Sequence, residues 1–382
     1  MESWAAHHLF ERVETKLGKP AAQEMRNYVL SLREKGLPVI FSLGHLARIT
    51  DVDYRVLHAT VSRNREDMDY RLFAIKKRSG GRRFIHAPCS TLAIVQEFIN
   101  SEVLQKIVPH PAAYAFHPRG GIRRCAAMHC GAKWIFHFDL QDFFHHVTEM
   151  EVFEIFKDIG FKDLVAFELA RICTTTRMPD SLRHLCRPLK KQRIAEAGFP
   201  YEPRGRYGVL PQGAATSPML SNLAARKLDV SLVSYARENG FIYTRYADDL
   251  VFSAVELPEN KSVGRIRREI VRLIYDNEFV ENKKKFRVAG PGSRKVVLGL
   301  LVDGEEPRIT RETLKRIDRH LYAAQRYGIK EVAKHERFES AYGFYNHLSG
   351  LIAYVKDVDF QRWKGFDRRL RDLSYSNEMG GS

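Results

Sequence analysis

Three aspartates in this 382-residue chain have the type and spacing to do chemistry together: Asp139, and Asp248 with Asp249 about a hundred residues further on. Carboxylates held a few ångströms apart repel or take up protons unless a cation joins them, so such a cluster calls for a metal. Hard oxygen donors select Mg²⁺, with Mn²⁺ as a substitute. Two such ions roughly 3.5–4 Å apart would activate a 3′-hydroxyl and stabilise a departing pyrophosphate in an in-line displacement. As an isolated pair, Asp248 and Asp249 read more simply as a solvated acidic turn, so their neighbours carry the case.

The elements that must position these carboxylates follow from the pattern. Trp134 to Leu140 is aromatic and β-branched and predicts a strand with Asp139 at its end. The run GFIYTRYADDLVFSA alternates as two short strands joined by a tight turn near Ala247 and Asp248, which puts two carboxylates at a hairpin tip. Upstream, Ala21 to Lys35 and Ser42 to Val61 carry apolar residues at helical spacing and predict an N-terminal helical extension over 1–65. From Tyr70 the pattern predicts a basic β-hairpin, RLFAIKK and RRFIHAP, turning at Ser79, Gly80 and Gly81. Helices are expected over Leu92 to Ile107, Met150 to Ile159, Asp163 to Cys173, Pro218 to Asn239 and Ser262 to Phe279, and a strand over Lys295 to Val302. Thr174 to Gly208, basic and Pro-containing, reads as a surface loop. Thr310 to Leu370 reads as a basic helical subdomain, with His347 to Tyr354 devoted to helix packing.

Composition narrows the partners. With 44% hydrophobic residues the chain can bury one large core or several, which argues against disorder. No apolar run approaches the roughly 20 residues of a membrane helix, and the N-terminus has no signal-peptide core, so a cytoplasmic protein without membrane contact is expected. A net charge of +16 favours a polyanionic partner, nucleic acid first. Five scattered cysteines read as reduced thiols. Cys125, His129 and Cys130 lie close together, but no second pair completes a tetrahedral zinc set, and packing is the better reading.

The neighbours of the aspartates carry a resemblance. Tyr246-Ala247-Asp248-Asp249 resembles the YxDD box of reverse transcriptases, and Phe138-Asp139-Leu140-Gln141-Asp142-Phe143-Phe144 resembles their first catalytic motif. Leu210-Pro211-Gln212-Gly213-Ala214-Ala215-Thr216-Ser217-Pro218 is similar to their QGxxxSP segment. The three occur in the family's order, and the resemblance spans roughly Tyr70 to Val302. It implies an α/β (α+β) right-hand polymerase, with fingers and palm over 66–305 and a helical, RNA-binding thumb over 306–382. The palm's antiparallel sheet would carry the aspartates. The implied activity is that of an RNA-directed DNA polymerase, a nucleotidyltransferase, with two Mg²⁺ ions held by Asp139, Asp248 and Asp249.

The same resemblance implies roles for other residues. Phe144 matches the aromatic that crowds a ribose 2′-hydroxyl and so selects dNTPs; otherwise it is a core phenylalanine. Gln212 and Gly213 would line the nucleotide pocket, where glycine allows close backbone approach. Arg83, with Lys76 or Lys77, matches a basic hairpin that clamps the triphosphate, a task suited to the bidentate fork of arginine. Lys285 in the Glu281 to Lys285 run resembles the NxxK lysine, a candidate proton donor to pyrophosphate, and Tyr246 would touch the primer. Arg311, Lys315, Arg319, Arg326 and Lys330, interleaved with Tyr322 and Tyr327, would grip RNA.

Within the family the chain is most similar to retron enzymes. Cys125-Ala126-Ala127-Met128-His129 resembles the retron NAxxH box with Cys for Asn, and Val297-Leu298-Gly299 resembles the VTG triplet with Leu for Thr. A retron enzyme would recognise a structured noncoding RNA, prime from a guanosine 2′-hydroxyl and make a short single-stranded DNA (msDNA) in anti-phage defence. Its partners would include dNTPs, an effector protein from the same locus and host RNase H. The alternatives are a group II intron-like or diversity-generating enzyme, or a catalytically silent RNA-binding scaffold. The intact Asp139, Asp248, Asp249 and Gln212 argue against the scaffold.

Overall fold

The computed structural model describes residues 6–76, 80–186 and 207–378. Lys77, Arg78 and Ser79 of the expected hairpin turn, and most of the stretch between Thr174 and Gly208, lie outside the described residues. Along the chain come α1 (Ala6–Leu17), α2 (Lys19–Glu34), α3 (Leu43–Ile49), α4 (Tyr54–Val61), α5 (Glu66–Asp69), β1 (Tyr70–Lys76), β2 (Arg82–Pro88) and α6 (Ser90–Phe98). Then follow α7 (Ile122–Ala127), β3 (Trp134–Asp139), α8 (Phe143–His146), α9 (Glu149–Ile159), α10 (Asp163–Cys173), α11 (Ser217–Ala224), α12 (Arg226–Glu238), β4 (Ile242–Tyr246) and β5 (Asp249–Ala254). The remainder is α13 (Val263–Asp276), β6 (Arg287–Ala289), β7 (Val296–Val297), β8 (Leu300–Leu301), β9 (Arg308–Ile309), α14 (Arg311–Tyr327), α15 (Ile329–His335), α16 (Ala341–Lys356) and α17 (Phe360–Glu378). The fold mixes helices with antiparallel sheets. No helix among the described residues is long and apolar enough to cross a membrane.

The chain divides into two units. The first comprises Met1–His117, Leu140–Leu232 and Arg267–Asn282. Here α9 opens with a capping box in which the Thr148 hydroxyl and the Glu151 carboxylate each accept the other residue's backbone N–H. Its apolar face packs on α10, burying Val152, Phe153, Phe156, Val165 and Leu169. Glu149, only 1% exposed, accepts Arg171 Nε at 2.6 Å, Arg63 Nη2 at 2.8 Å and the Gly208 N–H at 2.9 Å. Arg63 also bonds the Thr174 carbonyl, and Thr175 bridges to Val209. The expected surface loop from Thr174 to Gly208 is thereby corrected at its ends, where Thr174, Thr175 and Gly208 are buried. Residues distant in sequence pin those ends, which local pattern does not register.

Several expected helices are broken. Ser42 to Val61 is two helices, because Asp51 turns left-handed at φ 52° and Asp53 caps α4 by accepting the Arg55 N–H. Pro218 to Asn239 breaks at Ala225. Leu92 to Ile107 ends its α-helical part at Phe98 and continues through a wide turn, Ile99–Val103, and a tight one, Leu104–Lys106. In each case both pieces present apolar residues to a core, so the periodicity runs across the break.

The second unit comprises Pro118–Asp139, Val233–Ile266 and Lys283–Ser382. Its centre is an antiparallel sheet ordered β4-β5-β3-β6. Strand alternation sorts its side chains. Ile135, His137 and Asp139 share one face with Asp249, Val251 and Ser253 and with Ile242, Thr244 and Tyr246. On the other face Phe136, Phe138, Phe241 and Phe252 pack edge to face. A core joins Ala126, Ile135 and Val251 to Val297, Leu300, Leu321, Phe344 and Leu348, which brings in α14 to α17. The expected strand from Lys295 to Val302 is instead a small hairpin, β7 against β8. Leu298 and Gly299, at φ 49° and 84°, make its turn, and Tyr354 of α16 donates to the Leu298 carbonyl at 3.1 Å. Two left-handed residues in succession reverse the chain where an apolar run suggested continuity.

Candidate active site

Register brings Asp139 and Asp249 directly opposite one another across β3 and β5. Such cross-strand neighbours have Cβ atoms about 4.5–5.5 Å apart. Asp248 lies in the two-residue connection between Tyr246 and Asp249, which pair with each other. The first connecting residue, Ala247, is left-handed at φ 57°, as in a type II′ hairpin turn, whose first position usually belongs to glycine. An alanine there stores roughly 1 kcal/mol. Arg245, fully buried, donates from Nη1 to the Ala247 carbonyl at 3.3 Å and holds the turn. Sequence reading passed over Arg245, because a lone arginine in a strand gives no sign that it is buried.

Asp139 is buried and Asp248 half-buried, while Asp249 is exposed as a residue, with its carboxyl set among protein neighbours. Burial, then the charges of Asp248 and Asp139, pushes the Asp249 carboxyl up to about 6, although Lys285 and Arg287 oppose the shift. Lys285 Nζ donates to Asp139 Oδ2 at 2.5 Å. Burial alone would lower the Lys285 ammonium; its bond to Asp139 and the pull of the three aspartates outweigh that and hold it above the usual range. Among the described residues no three carboxylate, imidazole or thiol groups close on a single point. With Lys285 on Asp139, a cation already answers the most buried carboxylate. The raised Asp249 carboxyl, lifted first by burial and then by its anionic neighbours, is the one that a divalent cation would bring back down.

The other expected residues are distributed as follows. The Phe143-Phe144 pair splits: Phe143 is buried against Phe279, while Phe144 is half-buried beside Phe116, with ring centroids 6.3 Å apart. The Gln212 carbonyl accepts the His86 N–H of β2 at 2.8 Å. Gly213, at φ 129°, lies so close that an added Cβ would stand 2.7 Å from the His86 carbonyl oxygen and 3.2 Å from Ile85 Cγ2. Glycine is required there by the β2 backbone. Lys76 pairs with Arg82, and Ile75 with Arg83, so alternation puts Lys76 on one face of the hairpin and Arg83 on the other. Arg83 shares the face of Ile85, against which Gly213 sits. Both cations are exposed.

Tyr246 is half-buried, its phenol raised by burial and by the nearby Cys125. Arg311, Lys315, Arg319 and Arg326 are exposed on α14, and Lys330 is exposed on α15. At about 100° per residue the four on α14, with Tyr322, fall within an arc of roughly 80°. The opposite side of α14 buries Ile317, Leu321 and Ala324. Arg326 donates to the Tyr322 hydroxyl at 3.0 Å, tying ring and cation together on the exposed stripe.

Residues 75–300 match the family described as reverse transcriptase (RNA-dependent DNA polymerase). The chain is 33% identical to the retron Mx65 reverse transcriptase of Myxococcus xanthus over 342 residues, covering 89% of this chain and 74% of that protein. It is 29% identical to the retron Ec86 reverse transcriptase of Escherichia coli over 330 residues, 86% of this chain and 88% of that one. It is 30% identical to the retron Ec73 reverse transcriptase of Escherichia coli over 294 residues, 75% and 82% of the two chains. The chain belongs to the reverse transcriptase family, as an RNA-directed DNA polymerase of the retron type.

Proposed function

We propose that this enzyme copies a structured noncoding RNA of its own locus into a short single-stranded DNA, priming from a guanosine 2′-hydroxyl, and serves in defence against phage. An effector protein encoded nearby and host RNase H complete the system. Similarity to retron reverse transcriptases over most of the chain supports an RNA template and dNTP substrates. The observation that carries the catalytic assignment is the register that sets Asp139 opposite Asp249 with Asp248 in the adjoining turn.

In this reading Asp139, Asp248 and Asp249 hold Mg²⁺, or Mn²⁺ in its place; their hard oxygen donors and the raised Asp249 carboxyl fit such an ion. Bound metal supplies charge neutralisation at the attacking and departing oxygens. Lys285 leaves Asp139 when substrate enters and presents its proton to the pyrophosphate oxygen. Phe144, half-buried rather than core, crowds the sugar 2′ position. Arg83, on the Gly213 face of its hairpin, binds the triphosphate, Gln212 and Gly213 line the nucleotide pocket, and Lys76 meets phosphate from the other face. Tyr246 supports the primer end. Residues 1–65 form an N-terminal extension, 66–305 the fingers and palm, and 306–382 a thumb whose exposed α14 stripe, with Lys330, follows the RNA backbone.

The test is synthesis from the RNA that co-purifies from the native locus, with dNTPs and Mg²⁺, read on a denaturing gel before and after RNase and debranching treatment. A DNA of discrete length, shifted by debranching and absent from the Asp248→Ala, Asp249→Ala double variant, is expected. Extension only from an added primer would remove the retron mode of priming and leave the polymerase. Plaque counts with and without the intact locus test the defence role.

A further inference from the structure

Just past α7, one buried side chain reaches both strands of the hairpin that carries Asp248 and Asp249. His129, 0% exposed, bonds the Ser253 hydroxyl through Nδ1 at 2.7 Å and the Thr244 hydroxyl through Nε2 at 2.7 Å. Thr244 belongs to β4 and Ser253 to β5. Thr244 opposes Val251 and Ser253 opposes Ile242, so the two hydroxyl residues are diagonal neighbours on one face. Diagonal positions are about 7–8 Å apart, too far for their hydroxyls to meet and within the span of an imidazole bonded at each end. Cys125, also fully buried, adds its thiol to the Thr244 hydroxyl at 3.3 Å.

This cluster is built to stay neutral. Burial, with His137 adding to it, holds the His129 imidazole down to about 3, and burial pushes the Cys125 thiol up to about 11. A neutral imidazole donates through one nitrogen and accepts through the other, and a hydroxyl can do either, so every bond is satisfied without charge. Its position matters because β4 is an edge strand of the sheet, paired among the described residues with β5 alone. The stagger of β4 depends on that single ladder and a two-residue turn, and the turn holds a strained Ala247 that would relax if the strands slid. Asp139 and Asp249 lie on the same face as Thr244 and Ser253. Asp248 is four residues beyond Thr244, and Asp249 four before Ser253. At about 3.4 Å per residue the imidazole is too distant to touch the reacting atoms.

We propose that His129, through Thr244 and Ser253, is a positioning residue that fixes the stagger of β4 against β5 and thereby the place of Asp248 and Asp249 relative to Asp139. Cys125 serves the same end by orienting the Thr244 hydroxyl. The inference rests on the catalytic reading of the three aspartates.

The test uses the full chain with its RNA and substitutions that keep shape while removing a hydroxyl: Thr244→Val and Ser253→Ala. Kinetics are measured at a temperature where circular dichroism shows each variant folded. A misplacement near 1 Å costs about a hundredfold in rate, so kcat should drop about 10- to 100-fold while KM for dNTP and affinity for RNA stay within about twofold. Cys125→Ser, which keeps a donor to Thr244, should retain activity that Cys125→Val loses. Wild-type kcat in folded Thr244→Val and Ser253→Ala, with only a lower melting temperature, would overturn the proposal and leave the network a stability device. Persistent synthesis by the Asp248→Ala, Asp249→Ala double variant would instead remove the catalytic reading beneath it, so the two failures are told apart.

Discussion

Replacing Gly213 by alanine perturbs the candidate nucleotide pocket in a way the geometry makes quantitative. The added Cβ would stand 2.7 Å from the His86 carbonyl oxygen and 3.3 Å from its carbon. Something must move by about half an ångström to restore an ordinary contact. His86 cannot give readily: its side chain is fully buried, Nε2 bonds the Arg177 carbonyl at 2.8 Å, and its strand pairs along β1. The Gln212-Gly213 peptide therefore shifts. A side chain at φ 129° adds about 1–3 kcal/mol of strain, and weakening the bond between the His86 N–H and the Gln212 carbonyl adds about 0.5–1.5 kcal/mol. The expected loss is roughly 2–4 kcal/mol in urea unfolding, with KM for dNTP raised about tenfold as Gln212 is displaced. Gly350 of α16, with nothing within 4 Å of an added Cβ, is the control: Gly350→Ala should stabilise by up to about 1 kcal/mol. If Gly213→Ala unfolds at the wild-type urea concentration with unchanged KM, the reasoning about this close approach is wrong.

Other outcomes follow from the same structure. Glu149→Gln leaves Arg63 and Arg171 facing a neutral group in a buried site, so unfolding should be easier by about 3–5 kcal/mol; a change below about 1 kcal/mol would mean water replaces the pair. The Arg63 and Arg171 charges outweigh burial and hold the Glu149 carboxyl below its ordinary 4.5, so its contribution is present above that value and lost as pH falls through the lowered one. Asp249, raised to about 6 chiefly by burial, has the opposite sign: in metal-free protein its penalty is present above pH 6 and relieved as pH falls toward 4. Protons and metal also compete there, so Mn²⁺ affinity followed by electron paramagnetic resonance should weaken about tenfold from pH 7 to pH 5, a dependence that Asp249→Asn should flatten. Phe144→Ala should erode discrimination against rNTPs by about 10- to 100-fold; an unchanged ratio would reduce the ring to packing against Phe116. Lys315→Ala should weaken binding of all RNAs alike and lower the salt slope by about one, and sequence-selective loss would contradict a backbone contact.

Much of this protein can be read residue by residue. The strand ending at Asp139, the hairpin around YADD and the helices α9 and α10 were legible because alternation, helical periodicity and turn chemistry act over a few neighbours. The order of the three motifs named the family for the same reason, since each motif is a short contiguous string. The breaks at Asp51 and Ala225, and the reversal at Leu298 and Gly299, were not legible. A left-handed residue there depends on what packs against it, as Tyr354 does from α16.

Function at the site turns on contacts that a linear reading cannot reach. That Asp139 opposes Asp249 is a register, and a slip of one residue would send either carboxylate to the aromatic face. That Phe143 is core and Phe144 is not, or that Lys76 and Arg83 face apart, depends on which side of an element the interior lies. His129 and Thr244, 115 residues apart, have no shared pattern to connect them. Local chemistry marked the three aspartates as candidate metal ligands, and the motif resemblance implied the nucleotide-binding residues, because spacing and short motifs are properties of the chain. Burial, register and hydrogen-bond partners are properties of the packed molecule, and only there do a strained turn, a neutral imidazole and three carboxylates become parts of one site.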